Sequence, residues 1–293
     1  MASDLTGRTS SLLKLKSARV AFQGERGAFS ETAAIQLLGE SVATVPRPTF
    51  DSAFAAIAGG DADVLIAPVE NTLAGSVVRV YDLLLESKLS MVAETVLHIE
   101  HQLIGCPGAS LADIRSVSSH PVALAQCEKF FLAHPGLKRV PAEDTAGSVR
   151  EVIARGDKSF AGIAARRAAD IYGGVILAES IHDNPENFTR FVLLVPSGLA
   201  ADFSSPEAHK MSIALRLAHK PGALLRALEP FARHGVNLQK IESRPIHGRP
   251  FEYQFFLDVE AGSPAELGAA LAEARRATSM LLVLGLYPSA SRT

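Results

Sequence analysis

The chain has 293 residues, 47% hydrophobic and 20% charged, with a net charge of -2, a balance suited to two or three compact domains. With no basic excess, no tryptophan and only 6% aromatics, nucleic acid is not an expected partner. Two cysteines, Cys106 and Cys127, make no disulfide framework, and no run approaches the ~20 apolar residues of a membrane span, so a reduced cytoplasmic setting is expected.

Residues 1–17 are rich in Ser, Thr, Lys and Arg and nearly free of acid, as a transit peptide is, and Leu12, Leu13 and Leu15 are too few for a secretory apolar region, so the segment reads as a disordered tail. From Ala18 the chain alternates strand and helix. Arg19 to Phe22 reads as a buried strand and Ser30 to Leu38 as a helix stopped at Gly39. A second helix from Phe50 to Ile57 ends at Gly59-Gly60, and Val64 to Ala67 is a strand leaving through Pro68-Val69-Glu70-Asn71-Thr72. This rhythm predicts a largely parallel sheet with helices on both faces.

A second lobe is expected over about 98–178, with strands at Leu103-Ile104, Ile114 to Val117, Val140 and Phe160 to Ile163. Its predicted helices are Ala123 to Leu132, Ala146 to Ala154 and Ala165 to Ile171. The apolar strand from Thr189 to Val195 follows that lobe and is expected to return to the first sheet. Residues 198–208 are mostly small and read as a linker. Over 209–288 the pattern is βαββαβ. Met211 to Leu217 alternates as a half-buried strand, and Pro221-Gly222 opens a helix capped by Gly235. Strands follow at Val236 to Ile241 and Phe251 to Val259, then the helix start Ser263-Pro264-Ala265-Glu266 and a last strand over Leu281 to Leu286.

Candidate chemistry gathers at strand-to-helix turns. The turn Gly24-Glu25-Arg26-Gly27-Ala28-Phe29-Ser30 offers backbone N–H groups and the positive end of a helix dipole to an anion, although it lacks dinucleotide-loop spacing. Pro68 to Ser76 ends a strand, where open α/β sheets place ligands, and brings Glu70, Asn71 and Thr72. Ser119-His120-Pro121 with Gln126 and Asp144-Thr145-Ala146-Gly147 repeat the theme; helix capping is the plain alternative for each. No G-x-S-x-G elbow accompanies Ser119, and His98-Ile99-Glu100-His101 lacks H-E-x-x-H spacing, so neither a hydrolase triad, a metal nor a cofactor is expected. The string Asn187-Phe188-Thr189-Arg190-Phe191 puts a hydroxyl and a guanidinium at the mouth of a buried strand. Hydroxyl, amide and helix-start donors without a cofactor loop fit capture of a small multi-anionic metabolite.

Gly24 to Glu31, Glu70-Asn71-Thr72, Ser119-His120-Pro121, Asp144-Thr145-Ala146 and Thr189-Arg190-Phe191, in this order, resemble the prephenate dehydratase family. The segment from about Ser212 to Leu286 resembles an ACT regulatory domain. The resemblance covers nearly everything beyond Ala18. It implies an α/β bilobed, periplasmic-binding-protein-like catalytic region over 18–197 and an α+β ferredoxin-like ACT domain over 209–288. It further implies a lyase that converts prephenate to phenylpyruvate, uses no cofactor and is feedback-inhibited by L-phenylalanine. No chorismate mutase helix precedes Ala18, so a monofunctional enzyme is expected. By the same resemblance Thr189, Glu70, Asn71 and Gln126 would be catalytic. Ala28, Phe29, Ser30, Thr72, Ser119, His120, Thr145, Ala146, Arg190 and Phe191 would bind substrate, with Thr189 donating to the departing hydroxyl and Arg190 orienting a carboxylate. Phenylalanine would bind at Gly222, Ala223, Leu224, Leu225, Asn237, Leu238, Glu242, Ser243, Arg244 and Pro245. Phe29 stands where many relatives carry tyrosine, and Leu225 where many carry valine. Arogenate dehydration and non-catalytic amino-acid sensing are the competing functions. ACT-type modules commonly pair, so a homodimer or homotetramer is expected.

Overall fold

The computed structural model describes residues 12–246, 248–249 and 251–290. The first eleven residues of the expected tail lie outside that range, while Leu12–Leu15 form a 3-10 turn in which Leu12 and Leu15 are buried. Two compact units emerge, one of Leu15–Val80 with Thr95–Phe191 and one of Met1–Lys14, Tyr81–Glu94 and Val192–Thr293. Strands β5 (Leu89–His98) and β11 (Phe188–Pro196) contribute residues to both.

The larger unit holds two sheets. In the first, β1 (Arg19–Gln23) runs parallel to β2 (Ala43–Arg47) and β3 (Val64–Asn71), with Val20 opposite both Thr44 and Val64. The chain returns through β11, which lies beside β3, giving the order β11-β3-β1-β2. Val20, Ala21, Phe22 and Ile66 are wholly buried because α1 (Phe29–Leu38) and α2 (Phe50–Ala58) pack on this sheet. The short β4 (Gly75–Ser76) pairs with the end of β3, and α3 (Val78–Glu86) follows it.

The second sheet has the order β10-β6-β9-β7-β8, from β6 (Gln102–Gly105), β7 (Ser116–Ser119), β8 (Lys138–Pro141), β9 (Phe160–Ala164) and β10 (Val175–Ala178). Its helices are α4 (Pro121–Ala125), α5 (Glu128–Ala133), α6 (Thr145–Arg155) and α7 (Arg166–Tyr172). Leu103, Val117, Phe131 and Ile163 form the core of this lobe. The helix expected over Ala123 to Leu132 is broken at Cys127. Asp183 is the reason: its carboxylate accepts from the N–H groups of Glu128 and Lys129 at 2.9 Å each, so a new helix starts there.

The smaller unit carries the βαββαβ module: β12 (Lys210–Arg216), α8 (Ala223–Arg233), β13 (Asn237–Pro245), β14 (Tyr253–Glu260), α9 (Pro264–Ala274) and β15 (Met280–Tyr287). The strands pair antiparallel in the order β13-β14-β12-β15, which leaves β13 at an edge. Ile213, Leu215, Phe231, Leu257, Val259 and Leu267 fill the core. Ser263 and Glu266 close a reciprocal capping box at the start of α9, as the sequence suggests. Where a plain linker is expected, a 3-10 helix spans Ser197–Phe203 and buries Phe203. Lys210 on β12 meets the buried Glu94 of β5 through both carboxylate oxygens at 2.8 and 2.9 Å.

Candidate active site

A cavity of about 590 Å³ opens in the larger unit, where four helix starts and two strand ends converge. Helix α1 presents Ala28, Phe29 and Ser30, α2 Thr49 to Asp51, α4 His120 and Val122, and α6 Asp144 and Thr145. Strand β3 contributes Pro68 and Asn71, and β11 contributes Thr189 and Phe191. Each helix start aims unpaired N–H groups and a partial positive charge at this space. Three of the four have a side-chain cap: Thr49 accepts from Ser52 N at 3.1 Å, His120 Nδ1 from Val122 N at 3.2 Å and Asp144 from Gly147 N at 2.7 Å. At α1 the cap position is Ala28, which has no side chain able to accept, so the first-turn donors of α1 stay open to a ligand.

The loop feeding α1 is held from both lobes. Gly27 adopts φ +86°, and a Cβ there would stand 2.7 Å from the backbone of Ala168 on α7, so only glycine lets the loop approach so closely. Behind it the fully buried Glu31 accepts from Gly27 N at 2.7 Å, from Thr44 Oγ1 at 2.7 Å and from Arg167 Nε at 3.2 Å. Burial alone would push the Glu31 carboxyl up, but the Gly27, Thr44 and Arg167 donors outweigh it and hold it below the ordinary value of 4.5.

A hydrogen-bonded chain crosses the cavity floor. The two N–H bonds of Asn71 Nδ2 are shared among three acceptors: Thr189 Oγ1 at 2.9 Å, Asn187 Oδ1 at 2.8 Å and the Phe188 carbonyl at 3.1 Å. Asn187 Nδ2 donates to Gln126 Oε1 at 3.1 Å, and His101 Nε2 reaches the same oxygen at 2.8 Å. His101 is buried, and burial lowers its pKa to about 4, so the ring is neutral at physiological pH. Among the described residues no lysine or arginine lines the cavity; its charged lining is Asp51, Glu143 and Asp144. Asp51 is tied to Arg79, whose guanidinium hydrogen bonds hold the carboxyl below its usual range.

Of the residues singled out from the sequence, Ala28, Phe29, Ser30, Asn71, His120, Gln126, Thr145, Thr189 and Phe191 line the cavity. Glu70, Thr72, Ser119, Ala146 and Arg190 do not. The alternation of β11 turns Thr189 and Phe191 inward and Arg190 away, toward Glu70 at 3.5 Å. The Thr72 hydroxyl donates to the Glu186 carbonyl at 2.7 Å and accepts from Phe188 N at 2.9 Å, stapling the two strand ends. Ser119 is buried and donates to the Ile163 carbonyl at 2.7 Å. His101 in the lining and Asn187 behind it are among the site members that residue-by-residue reading passes over, as are Thr49, Asp51 and Glu143. In the smaller unit, Gly222 caps α8 with φ +73°, Ala223 starts the helix, and Leu225 stands 71% exposed. Asn237 to Pro245 form the edge strand β13, on which Leu238 and Ile241 are exposed and Arg244 approaches Asp82 at 3.7 Å.

The fold defines a two-sheet α/β protein with a cavity ringed by helix starts, carrying a ferredoxin-like module. Residues 20–197 match the prephenate dehydratase family and residues 211–276 the ACT domain, and the chain belongs to the prephenate dehydratase family. Arogenate dehydratase/prephenate dehydratase 1 of Arabidopsis thaliana, a chloroplastic protein, is 40% identical over 286 residues, covering 92% of this chain and 72% of the relative. The prephenate dehydratase of Arthrobacter aurescens, solved in complex with L-Phe, superimposes with a TM-score of 0.83 at 32% identity, over 92% of this chain and 90% of that one. A protein described as a novel type of quorum quenching acylase, GqqA, also superimposes with a TM-score of 0.83, at 35% identity over 94% of this chain and 98% of that one.

Proposed function

We propose that this chain converts prephenate to phenylpyruvate and that L-phenylalanine, bound by the ACT module, inhibits it. The observation that carries the reading is the placement of Thr189. Its oxygen accepts from Asn71 at 2.9 Å, so its own O–H is left to point into a cavity ringed by helix N-termini. In the prephenate dianion the bond between a ring carbon and its carboxylate breaks, together with the bond between the opposite ring carbon and its hydroxyl oxygen. The C–C electrons enter the ring, carbon dioxide departs, and the C–O electrons leave on hydroxide, giving the phenylpyruvate anion. Aromatisation drives the step, so the protein's task is to help hydroxide leave and to hold the rest still.

Thr189 is a hydrogen-bond donor to that leaving oxygen rather than a free acid. One carboxylate is received by the open first turn of α1 with Ser30. The lack of a lysine or arginine in the described lining fits this chemistry. A strong ion pair on the departing ring carboxylate would stabilise the ground state more than a transition state whose charge is moving to oxygen. Arg190 with Glu70 then supports β11 and β3 from the opposite face.

Arogenate is a second reading, favoured by the carboxylates Glu143 and Asp144 in the lining, since arogenate carries an ammonium where prephenate carries a keto oxygen. Comparing kcat/KM for the two substrates decides between them. With either, Thr189→Ala should lower kcat about 10²-fold or more and leave substrate binding nearly unchanged, while Thr189→Ser retains most activity. Near-normal turnover by Thr189→Ala would remove the proposed role.

A further inference from the structure

The chain of amides beneath Thr189 has a defined direction, and its anchor is backbone. The N–H groups of Leu73 and Ala74 donate to Asn71 Oδ1 at 3.0 and 2.8 Å, which fixes the amide nitrogen on the other side. That nitrogen meets the Phe188 carbonyl, an acceptor only, so the assignment is consistent at both ends. Asn187 must then present its oxygen to Asn71 and its nitrogen to Gln126. The Gln126 oxygen already receives Asn187 Nδ2, so His101 meets it as Nε2–H, and the neutral tautomer of His101 is determined.

His101 and Asn187 are both buried, and the consequence falls on Nδ1 of His101. It carries the lone pair and is enclosed, with no hydrogen-bond partner among the described residues. The Nε2–H contact with Gln126 at 2.8 Å is what ties the imidazole to the amide chain.

Resting on the functional reading above, we propose that Asn187 and His101 are positioning residues of the reaction. Through Gln126 and Asn71 they fix the direction in which Thr189 offers its hydroxyl hydrogen to the departing group. A threonine hydroxyl rotates among three staggered orientations. With Asn71 Nδ2 held on one lone pair of Oγ1, orientations that aim the hydrogen back at that donor are excluded. Loosening Asn187 frees Asn71 to turn, and loosening His101 frees Gln126 and then Asn187. The burial that lowers the His101 pKa keeps the ring neutral, so the same donor is present throughout the physiological range.

A double-mutant cycle tests this in the full-length protein. Asn187→Ala and His101→Leu are each measured in the wild-type and in the Thr189→Ala background, by steady-state turnover with circular dichroism and thermal melting as controls for folding. In the wild-type background each should lower kcat about 10- to 100-fold, the scale of a misplaced reacting group, with KM within about threefold. In the Thr189→Ala background each should add less than about a threefold further loss, because the group they orient is already gone. His101→Gln, which can still donate to Gln126, should recover most of the activity lost in His101→Leu. If Asn187→Ala does not fold, Asn187→Asp takes its place, keeping an acceptor for Asn71 and losing the donor to Gln126. Equal fold-losses in both backgrounds, or no loss in the wild-type background, overturn the inference while leaving the functional reading intact. A wild type that converts neither prephenate nor arogenate removes the reading and this inference with it.

Discussion

Replacing Glu31 probes the device that shapes the cavity wall. Glu31 is fully buried and satisfies the N–H of Gly27 and the hydroxyl of Thr44, while Arg167 and Arg26 approach at 3.2 and 3.5 Å. The two arginines are 30% and 58% exposed and can turn to water, so their loss counts for little. The buried Gly27 N–H cannot, and a buried donor left unpaired costs about 1–3 kcal/mol, while the half-buried Thr44 hydroxyl adds less. Glu31→Ala should therefore destabilise the larger unit by about 1–4 kcal/mol, which lowers its melting temperature by roughly 3–15 °C. Because the Gly27 loop carries Ala28, Phe29 and Ser30 into the cavity, KM should rise as well. Glu31→Gln keeps one acceptor oxygen but turns an amide N–H toward a donor, so its loss should be smaller. The pH dependence separates charge from shape. The Glu31 carboxyl titrates lower in the folded chain than in the unfolded one, so its contribution is fully present above the ordinary value of 4.5 and disappears as pH falls through the folded value. The melting-temperature gap between wild type and Glu31→Gln, measured by differential scanning calorimetry, should be largest near pH 7 and should shrink below about pH 4.5. A Glu31→Ala protein melting within 2 °C of wild type (less than about 1 kcal/mol), or a Glu31→Gln gap identical at pH 7 and pH 3.5, would refute the reasoning.

Two further outcomes concern the smaller unit. Glu242→Ala or Ser243→Ala on β13 should weaken inhibition by L-phenylalanine and leave uninhibited turnover nearly unchanged; calorimetry showing no phenylalanine binding to wild type would end the regulatory reading. Inhibition also requires phenylalanine to favour an inactive arrangement by roughly 1–3 kcal/mol, visible as a 5- to 150-fold coupling between effector and substrate affinities. The edge strand β13 exposes Leu238 and Ile241, and an uncovered edge is where a second copy of the chain would pair. Light scattering at micromolar concentration should give at least a dimer, and a monomer would contradict it.

The elements legible in the sequence are those whose burial is decided locally. Val20 to Phe22 and Val64 to Ala67 are apolar runs bounded by turns, and they form central strands. Strand β5 is not legible in the same way, because Glu94 and Thr95 interrupt its apolar run. Both are nonetheless buried: Glu94 is neutralised by Lys210, far along the chain, and Thr95 Oγ1 accepts from Gln36 at 2.8 Å. A buried charge is tolerable only with its partner present, and no local pattern announces a partner that distant. The break between α4 and α5 has the same origin in Asp183.

The site divides along this line too. Strand-end turns are recognisable because an open α/β sheet brings them to one cleft, but position marks Glu70, Thr72 and Ser119, which do not line it, as readily as Asn71 and Gln126, which do. The separation of Thr189 from Arg190 was also within reach, since neighbours on a strand face opposite ways. His101 was not, because weighing it by metal-ligand spacing asks about residues nearby in sequence. Its role depends on Gln126, Asn187 and Asn71, which come together only when β3, β11 and α4 meet, and which carry no charge to betray them. A neutral chain of amides is nevertheless what this chemistry needs. A charged group in that place would bind the dianion before reaction as strongly as during it, whereas oriented dipoles hold a hydroxyl in place without adding a ground-state attraction of their own.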